Sequence, residues 1–378
     1  MNMDLFLPEE QTATLVIFNI FLFLLIFLFT KNELGSRTEM SNIFRKLGLS
    51  LMLLFILFSF WGWDWFGHLI CYRVIKEGGN SHMEDIYYWI AQNLSPNYIV
   101  FRFVVWGSGF FLLLHVFKRL SIPYGLTLFL WSSLYLIWFS YARVSVSMVL
   151  MCYGICILYR PYKNKVLSVL LSILSIGGAF YFHKSALFGI VVSLLTIFVT
   201  KFGRRTFIIL LLCYPILLLI VQIYLNEFLM TEFEQDGGGL SANLSAGQRY
   251  LGHDQGVTGI GYMIQSFLEK CPYYILVFIS FRMLRSRMYH VVPCDIKAFM
   301  RLLFFIVFFS SLFMFDVGAN TKIVYERFIR FAAIPACVVL SYFYSIKYNF
   351  NYIQFTYKLA LAGTIYSLIY TLYNVCVG

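Results

Sequence analysis

Charge is what this chain has least of: Asp, Glu, Lys and Arg make up 12% of its residues, against about 25% in an ordinary soluble domain. With 60% hydrophobic residues and a mean hydropathy of +0.77, too little charge remains to cover a globule in water, so a soluble enzyme is excluded. No soluble domain fits between the apolar runs. The first residues, "MNMDLFLPEE", are acidic where a secretory signal is basic, so the sequence predicts no cleaved signal peptide. Metal motifs are lacking too. Cys152 and Cys156 share a helix face at i, i+4, but no His and no second pair completes a site, and the eight cysteines read as small apolar packing groups. No D-x-D pair lies on the expected outer face, which predicts a metal-independent protein with no cofactor.

What the chain has instead is apolar segments sized for a membrane. A hydrocarbon core about 30 Å thick needs roughly 20 apolar residues per helix. Runs of that kind centre near residues 22, 56, 108, 131, 151, 174, 193, 215, 275, 309, 336 and 366. The expected fold is an all-α integral membrane protein, a polytopic bundle of about twelve transmembrane helices. Residues 1–378 form one membrane domain. The ninth span is the least regular, because Glu269, Lys270 and Pro272 interrupt it.

Orientation follows from the basic residues, which favour cytoplasmic loops. Loops after odd-numbered spans hold 19 of the 29 Lys and Arg; the other side keeps 10 of them but 15 of the 18 acidic residues. Both termini are therefore expected outside. The net charge of +11 is explained by topology and implies no nucleic-acid partner. Two larger outer connections follow. Residues 62–97 contain "SHMEDIYYWIAQNL", an interfacial amphipathic helix, and 226–258 are polar and glycine-rich, as suits either a substrate-covering loop or a spacer.

Against the charge rule, cations remain on the outer side: His183 and Lys184 in "FYFHKSALFG", Arg143 in "SYARVSVS", Arg249 in "AGQRYLG", and Arg327 and Arg330 in "YERFIRF". Arg102, in "NYIVFRFVVW", lies about a turn inside the third span. Several of these sit where helix N-termini point outward, positions that disfavour cations and welcome anions. Guanidinium groups grip phosphate with paired N–H donors. A lipid-linked pyrophosphate fits that depth, its tail in the bilayer and its phosphates among the headgroups. The plainer alternative is that these arginines bind membrane lipids or pair with acids such as Glu326.

The stretch "YARVSVSMVLMCYGICILYRPYKNKVLSVLLSILSIGGAFYFHKSALFGIVVSLL" resembles the central signature of Wzy-type O-antigen and exopolysaccharide polymerases of the EpsG-like branch. "HMEDIYYWIA", "NYIVFRFVVW" and "ERFIRF" resemble it as well. The resemblance implies a GT-C-like polytopic bundle with outer-face loops, a bacterial inner-membrane glycosyltransferase with its active site facing the periplasm. It would transfer a glycan from undecaprenyl pyrophosphate to a sugar hydroxyl of a second lipid-linked repeat unit. A chain-length regulator is a further implied partner.

In that chemistry the protein must neutralise a departing pyrophosphate and deprotonate a hydroxyl. Arg143, Arg249, Arg327 and Arg330, with Lys184 and Arg102, are the expected phosphate ligands. His183 is the first choice of base, since an ordinary imidazole is largely neutral at pH 7. Glu84 and Asp64 compete with it, and His183 serves equally as a hydrogen-bond donor to phosphate. A flippase or secondary carrier is the rival reading, although carriers carry repeats and midplane charges. An O-antigen ligase would share the donor site.

Overall fold

The computed structural model describes residues 63–79, 83–122, 142–200, 203–235, 260–314 and 327–377, with Tyr325 and scattered positions between 21 and 57. Among them the chain is helical throughout, with no strand. In chain order the helices are α1 (Trp63–Lys76), α2 (Asp85–Asn93), α3 (Tyr98–Arg119), α4 (Ala142–Tyr159), α5 (Lys165–Phe182), α6 (Ala186–Phe198), α7 (Arg204–Gln235), α8 (Ile260–Leu284), α9 (Cys294–Ser311), α10 (Arg327–Ser345) and α11 (Phe350–Val377). By length and composition α3, α5 and α10 can each cross a membrane, and Val144–Tyr159, Ala186–Phe198 and Arg205–Ile220 are shorter apolar stretches. The expected spans near residues 22 and 131 lie outside the described residues, apart from two isolated helical positions in the first.

The packing is that of a membrane protein. In α5 the buried positions are Ser168, Ser172, Ser175, Ile176 and Ala179, while Ile173 is 61% and Leu174 68% exposed. Small residues face the protein and large apolar ones face outward, the reverse of a soluble helix and the arrangement that lets membrane helices approach closely. The serine hydroxyls need not meet lipid: Ser168 donates to the Asn164 carbonyl at 2.9 Å and Ser175 to that of Leu171 at 2.6 Å. Asn164 caps the helix by accepting the Leu167 N–H at 3.1 Å. α7 is also peripheral, with Leu212 71% exposed. At the centre stand α9 and α10, apolar all round and buried on nearly every face.

α4 and α5 form the most extensive helix pair. Gly154 makes this possible: a Cβ there would lie 2.6 Å from Ile176 and 2.9 Å from the Ser172 carbonyl oxygen. α8 and α11 pair closely as well, and Gly363 meets the backbone of Leu268. Pro272 has no N–H to offer the Leu268 carbonyl, so the glycine approaches where α8 leaves an acceptor over. The irregular ninth span is thus one continuous helix, α8. In α3 a π-helical turn, Phe103–Gly107, follows Arg102 directly.

Replacing Gly154 with Val should push α4 and α5 apart and lower the melting temperature of the detergent-solubilised protein. Gly177→Ala in α5, where a Cβ meets nothing within 4 Å, should leave it unchanged or raise it. Equal melting temperatures for Gly154→Val and wild type would show that the close approach carries no stability.

Candidate functional site

The site is built where α5 ends. His183 leaves the helix in extended conformation, with φ −164° and ψ 130°. The chain re-enters a helix at once, because the N–H groups of Ala186, Leu187 and Phe188 find the carbonyls of His183, Lys184 and Ser185 at 2.9, 3.1 and 3.2 Å. These N–H groups are therefore occupied, and an anion at this turn would have to be held by side chains. Lys184 is exposed and His183 half-buried.

Ser185 sets the chemistry of the imidazole. Its backbone N–H lies 3.0 Å from His183 Nδ1, and its hydroxyl 2.6 Å from the same atom. An amide N–H can only donate, so Nδ1 carries a lone pair and a neutral ring holds its proton on Nε2. In this tautomer the remaining nitrogen of His183 is a donor.

Three elements converge on the turn. Phe188, in the first turn of α6, stacks on Phe328 of α10 with ring centres 4.1 Å apart and planes 3° apart. Gly189 fits beneath Phe331, whose ring lies 2.9 Å from where a Cβ would stand. This contact brings the start of α10, with Arg327 and Arg330, to the same end of the bundle as His183. From the other side, Tyr87 of α2 donates to the Phe182 carbonyl at 3.1 Å and meets its ring edge-on. Glu84 is the N-cap residue of α2 and offers no side-chain cap. Ser147, one turn into α4 from Arg143, donates to the Ala179 carbonyl at 2.8 Å, which joins the start of α4 to the end of α5.

Arg327 is exposed and Arg330 half-buried, three residues apart on α10. Arg102 is different: it is fully buried, with its guanidinium 5.8 Å from the centre of the Tyr98 ring and within an aromatic cluster of Tyr98, Phe101 and Trp106. It belongs to the interior behind Tyr87, which touches Phe101. The side chains of Asp64 and Arg143, and all of Arg249, lie outside the described residues.

A polar belt in α8 escaped the sequence analysis. Gln265 and Glu269 lie on one face, Ser266, Lys270 and Tyr274 on the next. Glu269 Oε1 accepts from Ser367 of α11 at 2.6 Å and from Gln265 at 3.1 Å. Lys270, 7% exposed, contacts Ser266 and stands 5.1 Å from the Tyr325 ring centre, and the Tyr325 and Tyr274 hydroxyls are 3.1 Å apart. A charged side chain in the middle of a spanning helix costs roughly 2.5–3.5 kcal/mol on insertion scales and usually marks function. That cost was the available signal, for a Glu-Lys pair inside an apolar helix is visible in the sequence.

The opposite end of the bundle gives the contrast. There Arg160 pairs with Asp295, Arg119 and Arg160 bond each other's carbonyls, and Arg301 donates to Tyr159 at 2.8 Å and to the Thr196 carbonyl at 3.3 Å. These arginines tie the α3, α4, α6 and α9 ends together, and their donors are directed at the protein itself. No group of three metal-ligating side chains occurs among the described residues.

No curated protein and no solved structure matches the chain. A family model described as the EpsG family matches residues 43–376, taking in α1 to α10 whole and α11 to its last turn. The chain belongs to the EpsG family.

Proposed function

We propose that the chain is a polysaccharide polymerase that moves a growing glycan from undecaprenyl pyrophosphate to a sugar hydroxyl of another lipid-linked repeat unit at the outer membrane face. Membership of the EpsG family carries the coarser statement: a polymerase-type, glycosyltransferase-like role on lipid-linked sugars in a membrane. The observation that supports the finer reading best is the stack of Phe188 on Phe328, which joins the turn of His183 to the helix of Arg327 and Arg330.

In this reading Arg327 and Arg330, with Lys184 and the arginines at 143 and 249, hold the pyrophosphate and counter the charge it gains as the glycosyl bond breaks. The site is taken to face the periplasm of a bacterial inner membrane, because Arg119, Arg160, Lys163, Arg282, Arg285 and Lys297 gather at the other end. His183, with Nδ1 accepting from Ser185, donates Nε2–H to a phosphate oxygen. A metal ion has no part in this scheme.

A carrier reading would start from Glu269 and Lys270 inside α8, since transporters keep ionisable groups near the midplane. Deletion in the native host separates the readings. A polymerase leaves glycans of one repeat unit and no long chains, whereas loss of every repeat points to a flippase or a ligase.

Arg327→Lys keeps the charge but not the paired donors, so chain growth should fall about 10- to 100-fold at normal membrane levels. Wild-type growth in this variant would remove Arg327 from the phosphate site. His183→Gln retains an N–H donor and should keep part of the activity, while His183→Ala should lose about as much as Arg327→Lys. Equal loss in both His183 variants, measured with purified enzyme and lipid-linked repeat units, would make the histidine a base. For orientation, Lys184→Cys in a cysteine-free background should react with an impermeant maleimide in intact spheroplasts. Labelling only after lysis would reverse the topology.

A further inference from the structure

A hydroxyl that attacks an anomeric carbon must give up its proton, and with His183 holding hydrogen on Nε2 the acceptor lies elsewhere. Glu84 stands at the N-cap of α2, at the rim of the gathered elements. Glu269 lies on α8, which packs against α10. We infer that Glu269 is the base that takes the acceptor's proton, an inference that rests on the polymerase reading above.

Three features of its surroundings support this. First, the carboxylate is held by one oxygen. Both hydrogen bonds it accepts among the described residues, from Ser367 and Gln265, fall on Oε1. Oε2 is left to meet another partner while two donors from two helices fix the plane of the group. Second, Glu269 lines a cleft between α8, α10 and α11, with Pro272, Tyr273, Ala333, Ala336 and Ala360 around it, and no other ionisable carboxylate shares that wall. Third, the cleft begins next to the phosphate ligands. Ala333, which lines the cleft, lies one turn beyond Arg330 on α10. The neighbouring cation, Lys270, sends its ammonium to the adjacent face, toward Ser266 and the Tyr325 ring.

The step balances without any further reactant. The acceptor oxygen bonds to the anomeric carbon as the carbon's bond to the pyrophosphate oxygen breaks, and that oxygen keeps the electron pair. The hydroxyl proton moves to Glu269 Oε2. The leaving pyrophosphate carries one more negative charge, set against Arg327 and Arg330, and the proton on Glu269 passes to water before the next cycle.

Glu269→Gln is the decisive variant, because its amide oxygen still accepts from Ser367 while the group no longer takes a proton at neutral pH. With purified enzyme and lipid-linked repeat units, kcat should fall about 10²- to 10⁴-fold. The KM for the repeat unit and the binding of undecaprenyl pyrophosphate alone, followed by tryptophan fluorescence, should stay within about three-fold, since neither depends on the proton transfer. Wild-type kcat in Glu269→Gln overturns the assignment and leaves the polymerase reading standing, provided Arg327→Lys is impaired in the same assay. Should Glu269→Gln fail to insert, Glu269→Asp carries the test. It withdraws the acid by one methylene and should slow chain growth at least about 10-fold with binding retained, and an undiminished rate sinks the proposal. If wild-type enzyme makes no polymer from these substrates, both readings fall.

Discussion

A bilayer interior offers no water, so every polar group inside it must find its partner within the chain. That constraint orders the whole structure. It turns the serines of α5 inward and onto their own helix carbonyls. It sets Gly363 against the carbonyl that Pro272 leaves over. It also gives the half-buried Glu269 and the buried Lys270 polar or aromatic neighbours in Gln265, Ser367, Ser266 and Tyr325.

The two ends of the bundle satisfy the constraint differently. At one end arginines from several helices are consumed by the protein: Arg160 by Asp295, Arg301 by Tyr159 and Thr196, Arg119 by the Arg160 carbonyl and the Tyr162 ring. At the other, Arg327 and Lys184 are exposed, at the end of the bundle where Nδ1 of His183 accepts from the Ser185 N–H. Cations of one chain thus divide into those bonded within the fold and those left at its surface. Composition could not make that division, because an arginine reads the same in either role.

Much of the architecture was legible from the sequence because apolar length is a local signal. The runs centred near 108, 151, 174, 193, 215, 309, 336 and 366 all fall in helices of the structure. Proximity was not legible. Nothing local tells that Phe188 meets Phe328, or that Tyr87 reaches the Phe182 carbonyl. The tautomer of His183 was hidden as well, since it depends on the backbone bend that brings the Ser185 N–H round to Nδ1. Arg102 was placed about a turn inside the third span, and its enclosure by the aromatic side chains of its own helix was not legible. Glu269 was read as an interruption of a span because hydropathy scores a charge as a cost and says nothing of the partners that offset it.

The π-turn of α3 sets a phase. One residue more than an α-helix allows is absorbed between Phe103 and Gly107, which rotates everything after it by about 100° relative to what precedes it. Ser108 donates to the Val105 carbonyl at 3.0 Å, supplying a donor where the wider turn leaves an acceptor. The upper part of α3, with Tyr98, Phe101 and Arg102, is therefore aimed independently of the lower part, which packs on α4. The same helix can keep its first turns in register with α2 and the His183 turn while the remainder stays in register with the arginine clamps. The two ends of this molecule are thereby free to change side chains without retuning each other.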